Sequence, residues 1–237
     1  MRVLGFLTLA LSLMAGVAPL HSADLPRFRP ALPGIGPEAL VNQINSQELV
    51  KNGQKQGGIM FCCYVSKTGE LKLSETYRPM PDSDLLKAEV ERCLAKVKFF
   101  PAIYEHQPID VVFYGTVTFG IVDGKPRLRI FANQEVDEFT KESDFVGPQP
   151  IIGAGSKFTG THYPEGATVA IKGLGYLALK IDALGNLQEL KVVSEEPDST
   201  GFGKVAANDF NQAKFIPAFR SGDPVESNIL LPVFYQP

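Results

Sequence analysis

Lys98-Phe99-Phe100-Pro101-Ala102 is followed six residues later by Pro108, and Lys214-Phe215-Ile216-Pro217-Ala218 is followed six residues later by Pro224. The offset between the two stretches is 214 − 98 = 116 residues. It also carries Gly69 onto Gly185, Leu71 onto Leu187 and Pro81-Asp82-Ser83 onto Pro197-Asp198-Ser199, with no gap from Gly58 to Phe119. A repeat of this length predicts two copies of one small domain. The residue before a proline avoids the helical region, so Phe100 and Ile216 are expected to be extended. Helices arriving from upstream then end near Lys98 and Lys214, where a lysine suits the negative end of the helix dipole. Glu-His-Gln-Pro108 and Ser-Gly-Asp-Pro224 read as turns that launch a last strand.

Working outward, Phe61, Cys63 and Val65 alternate along one strand and align with Leu177, Leu179 and Ile181. Period-two alternation marks a half-buried strand whose inner face carries Cys63, with Cys62 on the other face. Gly69 and Gly185 supply turns before strands that begin at Leu71 and Leu187. Val90, Cys93, Leu94 and Val97 form one helical stripe, matched by Val205, Ala206, Phe210 and Ala213. Asp82-Ser83 and Asp198-Ser199 are the expected N-terminal caps. In the last strands, Ile109, Val111, Phe113, Val117 and Phe119 align with Val225, Ser227, Ile229, Val233 and Tyr235. Asp123-Gly124 predicts a two-residue hairpin that sets Leu128 opposite Phe119 and Ile130 opposite Val117. The first copy therefore gains an extra strand that the second lacks.

The expected class is α+β: two repeated small domains, each a short antiparallel sheet with helices packed on one face. Residues 1–23 read as a secretory signal, with Arg2 before an apolar run and Ala23 at the cut. An uncleaved inner-membrane anchor is the alternative. Residues 24–36, rich in proline, read as a stiff tether. Residues 37–132 are the first domain, opened by a core-covering helix over Glu38 to Lys51 that Asn52-Gly53 stops. Residues 133–150 are an acidic linker, and residues 151–237 the second domain. The formal charge of −3 and the absence of a basic run exclude a nucleic-acid footprint.

The second copy resembles the C-terminal domain of the TonB family of energy transducers. The resemblance covers about residues 160–236. It rests on Tyr163-Pro164-Glu165-Gly166-Ala167, on Gly175 to Asp182, on Lys214-Phe215-Ile216-Pro217-Ala218 and on Pro224 to Phe234. It implies a three-stranded sheet that binds a protein or peptide partner, such as an outer-membrane transporter segment, by strand addition in the periplasm. The family also passes on work from a proton motor. Here Val17 stands four residues before His21, where the family's anchor carries serine.

No chemistry of another kind stands out. His21, His106 and His162 are not at metal-ligand spacing. No serine or cysteine lies in a nucleophile motif, and the glycine pairs lack a phosphate-loop setting. The reading is binding, not catalysis, with no metal, cofactor or small-molecule substrate. The last strand of the second copy, Asn228 to Tyr235, is expected to remain an edge, because Pro232 has no donor for a further ladder. Asn228, Leu230 and Phe234 point outward as partner contacts, and Tyr163 is a candidate contact or a packing element. The alternatives are an edge already filled by the chain or by a second copy, and a structural, self-associating module. In an exported protein, Cys63 and Cys93 are expected to form a disulfide and leave Cys62 free. The other reading is three small buried thiols.

Overall fold

The computed structural model describes residues 25–133, 144–164 and 170–237. The expected signal segment, the acidic middle of the linker and Glu165 to Ala167 of the Tyr-Pro motif lie outside them. The architecture is mixed α+β and dominated by antiparallel sheet.

The chain begins with β1 (Phe28–Arg29), a 3-10 turn (Gly36–Glu38), α1 (Leu40–Gln43) and α2 (Ser46–Lys51). Next come β2 (Gly57–Val65), β3 (Leu71–Tyr77), α3 (Asp84–Leu94), β4 (Ala102–Tyr104), β5 (Gln107–Ile109), β6 (Val111–Val122) and β7 (Lys125–Ala132). Then come β8 (Gln149–Pro150), β9 (Gly173–Ile181), β10 (Leu187–Glu196) and α4 (Phe202–Phe210). The chain closes with β11 (Phe215–Ile216), β12 (Ala218–Arg220), β13 (Asp223–Val225) and β14 (Ser227–Tyr235). The first sheet runs β3-β2-β6-β7 and the second β10-β9-β14. Pairs from Gly57↔Phe119 to Val65↔Val111 in the first have counterparts 116 residues on, from Gly173↔Tyr235 to Ile181↔Ser227.

The stretch around Pro101 and Pro217 docks on the turn glycines. Phe99 donates its N–H to the Gly69 carbonyl at 2.8 Å, and Phe215 to the Gly185 carbonyl at 2.9 Å. Both glycines have φ +82, and a Cβ there would lie 2.0 Å from the Phe99 carbonyl oxygen or 1.9 Å from that of Phe215. Only glycine allows both the left-handed backbone and so close an approach. The Asp123-Gly124 hairpin takes positive φ, and its register sets Leu128 opposite Phe119 and Ile130 opposite Val117, as expected.

Several expectations are corrected. The helix over Glu38 to Lys51 is broken in two: Ile44 is extended and ends α1, and Asn45 caps α2, its side chain accepting from the Glu48 N–H at 3.0 Å. Helices α3 and α4 end at Leu94 and Phe210, four residues before the lysines. Ser83 sits at the cap position of α3 but its hydroxyl accepts from Gly58 instead, at 3.1 Å. Helix α4 is capped by neither Asp198 nor Ser199. The Glu195 carboxylate accepts from the N–H groups of Gly201 and Gly203 at 3.1 and 2.7 Å. The tether is docked: β1 pairs with β4, Leu32 bridges Phe100, and Ala31 is fully buried. The end of the linker is structural too, since β8 pairs with β11 and the buried Gln149 amide bonds both backbone groups of Ala31.

The disulfide is absent: Cys62, Cys63 and Cys93 are free. The Cys93 thiol turns towards α1, donating to the Gln43 carbonyl at 3.4 Å beside Arg92, while Cys63 sits inside the first sheet opposite Phe113. Cys62 is buried as well, and burial pushes its thiol up to about 12. That burial shows how the halves meet. The inner face of β2 and β6, with Phe61, Cys63 and Phe113, packs with Leu40, Leu49, Leu86 and Val90. The opposite face, with Cys62, Val112 and Tyr114, joins the core formed by Phe158, Leu177, Phe202 and Phe210. Both faces of β2 and β6 are therefore covered, which explains their near-continuous apolar sequence, whereas the flanking β3 and β7 stay partly exposed.

Candidate functional site

Strand β14 lies at the edge of the second sheet, bonded to β9 on one side. Its nine pairs run without a register shift, whereas β10, at the opposite edge, has two irregularities. Bulged edges resist further pairing and flat ones invite it. Among the described residues no backbone group bonds the open side of β14. Pro232 stands opposite Tyr176 and has no N–H, so its carbonyl faces outward, as do the backbone groups of Asn228, Leu230 and Phe234. Asn228 and Leu230 are exposed.

Phe234 is placed differently from the expectation. Its ring is stacked on Tyr77 of β3, with centroids 4.9 Å apart and planes 3° from parallel. The Tyr77 hydroxyl donates to the Pro232 carbonyl at 3.4 Å. Burial pushes the Tyr77 phenol far above its usual range, so it stays a neutral donor. The next residue, Arg78, donates to the Tyr176 hydroxyl and lies 3.7 Å from the Glu196 carboxylate. Burial is the main cause that pushes Tyr176 up to about 12, against the pull of the Arg78 cation. Beside this contact opens a cleft of about 480 Å³, lined by Tyr77, Arg78, Lys172, Leu174, Pro197 and Phe234 among others. The chain thus covers the far half of its own edge; Asn228 and Leu230 stay exposed, with Leu230 at the mouth of a small crevice against Met60, Tyr114 and Thr116 of the first sheet.

Tyr163 is a packing element. Its ring meets Phe202 edge-on at 5.7 Å, and its hydroxyl bonds both the carbonyl and the N–H of Ile171, at 2.6 and 2.9 Å. Such a latch fixes how the chain enters β9. Its neighbour His162 bonds the buried Asp209 carboxylate through Nδ1 at 2.7 Å, and Tyr235 donates to the same carboxylate at 3.2 Å. This cluster pins the segment before β9 to α4. No group of three or more metal-ligating side chains occurs among the described residues.

Sequence reasoning missed Tyr77 and Arg78. One signal was available: 116 residues on, the chain reads Val193-Ser194, so an aromatic and a basic residue occupy a place with no aromatic or basic counterpart. No protein family, curated protein or solved structure matches the chain.

Proposed function

We propose that this chain is an exported tandem of TonB-like domains that binds an extended peptide or protein segment by adding it to β14. The partner class is an envelope protein, such as an outer-membrane transporter segment, and the setting is the periplasm. The observation that carries this reading is the contrast between two equivalent strands. Strand β6 is covered by β7 through eight pairs, from Gly115↔Ala132 to Val122↔Lys125. Strand β14 stands in the same register against β9, and among the described residues no strand covers it. A flat edge with outward donors and acceptors is the surface that strand addition uses.

Hydrogen exchange tests the proposal. With a transporter segment as ligand, the outward amides of Asn228 and Leu230 are expected to exchange freely alone and become protected in the complex. Full protection in the free monomer would overturn it. A second reading is a structural module that pairs with itself. The exposed Leu230, 42% accessible on the open edge, favours it to that extent. Light scattering of the free chain separates the two, since strand exchange between copies requires a concentration-dependent mass.

A further inference from the structure

Tyr77 and Arg78 sit where an added strand would run. We propose that these residues form an internal clasp competing with the partner for the far half of β14, and that the partner carries an aromatic residue opposite Pro232. This rests on strand addition at β14.

The clasp reproduces what a strand would bring. A strand beside β14 would give the Pro232 carbonyl an N–H donor; the Tyr77 hydroxyl supplies one instead. A strand would also lay a side chain along Phe234; the Tyr77 ring does so in near-parallel stacking. Arg78 holds the arm in place through Tyr176 and Glu196 on β9 and β10. Its backbone has φ +49, a region disfavoured for a residue with a long side chain. At the corresponding point β10 bulges at Val193 but stays a strand on to Glu196. The arm is therefore peculiar to the first half. The adjoining cleft gives the displaced ring somewhere to go.

The first sheet shows what replaces it. On β6 the covering strand β7 sets Phe131 opposite Thr116, and Phe131 is buried. Thr116 lies 116 residues before Pro232. The strand that closes the equivalent edge sets Arg129 opposite Thr118, the counterpart of Phe234, and puts Phe131 on the diagonal to it, within reach for an aromatic ring. A partner that displaces Tyr77 regains the lost stacking only if it carries such a ring. Asn228 and Leu230, exposed in the free chain, offer it a first foothold.

The probe is a labelled peptide with the sequence of residues 125–133, tested on the full chain, on Tyr77→Ala and on Arg78→Ala by fluorescence anisotropy. Arg78 is exposed, so its variant keeps the test valid if Tyr77→Ala folds poorly. Removing the competing ring is expected to tighten binding about tenfold, the size of a lost aromatic pair. The same peptide with Phe131→Ala is expected to lose that gain; a gain that persists overturns the aromatic requirement. Equal affinity for wild type and variants overturns the clasp and leaves strand addition standing. The carbonyl-carbon chemical shift of Pro232, read by NMR without peptide, gives a second decision. It is expected to move in both variants as the Tyr77 hydroxyl leaves that carbonyl. An unchanged shift overturns the clasp. A moved shift with no peptide bound by any variant overturns strand addition, and with it the competitor role of Tyr77.

Discussion

Strands β6 and β14 occupy the same place in two sheets of the same register, yet one is closed and the other open. The difference lies in whether a strand returns along the edge. After β6 the chain turns at Asp123-Gly124 and comes back as β7, whereas β14 pairs with β9 alone among the described residues. The hairpin positions differ in a second way. In the first half the Ser66 hydroxyl accepts from the N–H groups of Thr68 and Glu70 at 3.3 and 3.0 Å. In the second half the Asp182 carboxylate accepts from Leu184 and Asn186 at 2.9 and 2.8 Å. One geometry is held by a neutral group in one place and by an ionised group in the other. Equivalent backbones therefore tolerate different chemistry at the turn, while the closed edge depends on an added hairpin.

The largest effects test whether the halves are independent. Phe113→Ala in β6 and Ile229→Ala, its counterpart in β14, both empty buried sites and are expected to cost about 2–5 kcal/mol each. Ile216 and Ile151 enter the first core, and Cys62, Val112 and Tyr114 enter the second. Both variants should therefore lower one shared melting transition in calorimetry. Two separate transitions would break the comparison by making each half self-sufficient.

Acid should act more strongly on the second turn. Burial works to raise the Asp182 carboxyl, but the donors around it outweigh that and hold it below its ordinary value. A carboxylate held low stabilises the fold above its unfolded range, and that support is lost as pH falls through the folded value. Asp182→Ser imports the residue of the first half. It is expected to cost about 1 kcal/mol at neutral pH and to flatten part of the stability loss below the carboxylate range. Chemical denaturation at neutral and acid pH measures both, and an unchanged acid slope would count against the turn.

A smaller effect has the opposite sign. Ser227 aligns with Val111, and its buried hydroxyl has no hydrogen-bond partner among the described residues. Ser227→Val is expected to stabilise the chain by about 1 kcal/mol, read as a higher denaturant midpoint. The smallest expected effect is none. With Cys63 and Cys93 free, adding reductant should leave the melting temperature unchanged, and thiol titration of the unfolded chain should find all three cysteines reactive. A fall in melting temperature on reduction would restore the disulfide.

Much of the fold was legible in the residues because it depends on local or short-range rules. Gly69 and Gly185 had to be glycine for a left-handed turn, Pro101 and Pro217 forced extended chain before them, and Asp123-Gly124 set the register of β7. The 116-residue offset located strands, helices and hairpins from one half to the other. What the sequence did not disclose depends on contacts between segments far apart in the chain. Cys62 reads as outward because alternation describes one sheet, and only the second half lying on that face buries it. The proline-rich stretch reads as a tether until Phe28 and Arg29 find β4. Glu195 caps a helix that begins several residues later, so no capping motif marks it. Tyr77 reads as the end of an ordinary strand, and its place on Phe234 exists only once the two sheets are packed. Backbone rules act between neighbours and are written in the sequence; burial and edge occupancy are properties of surfaces that meet, and the tertiary structure alone decides them.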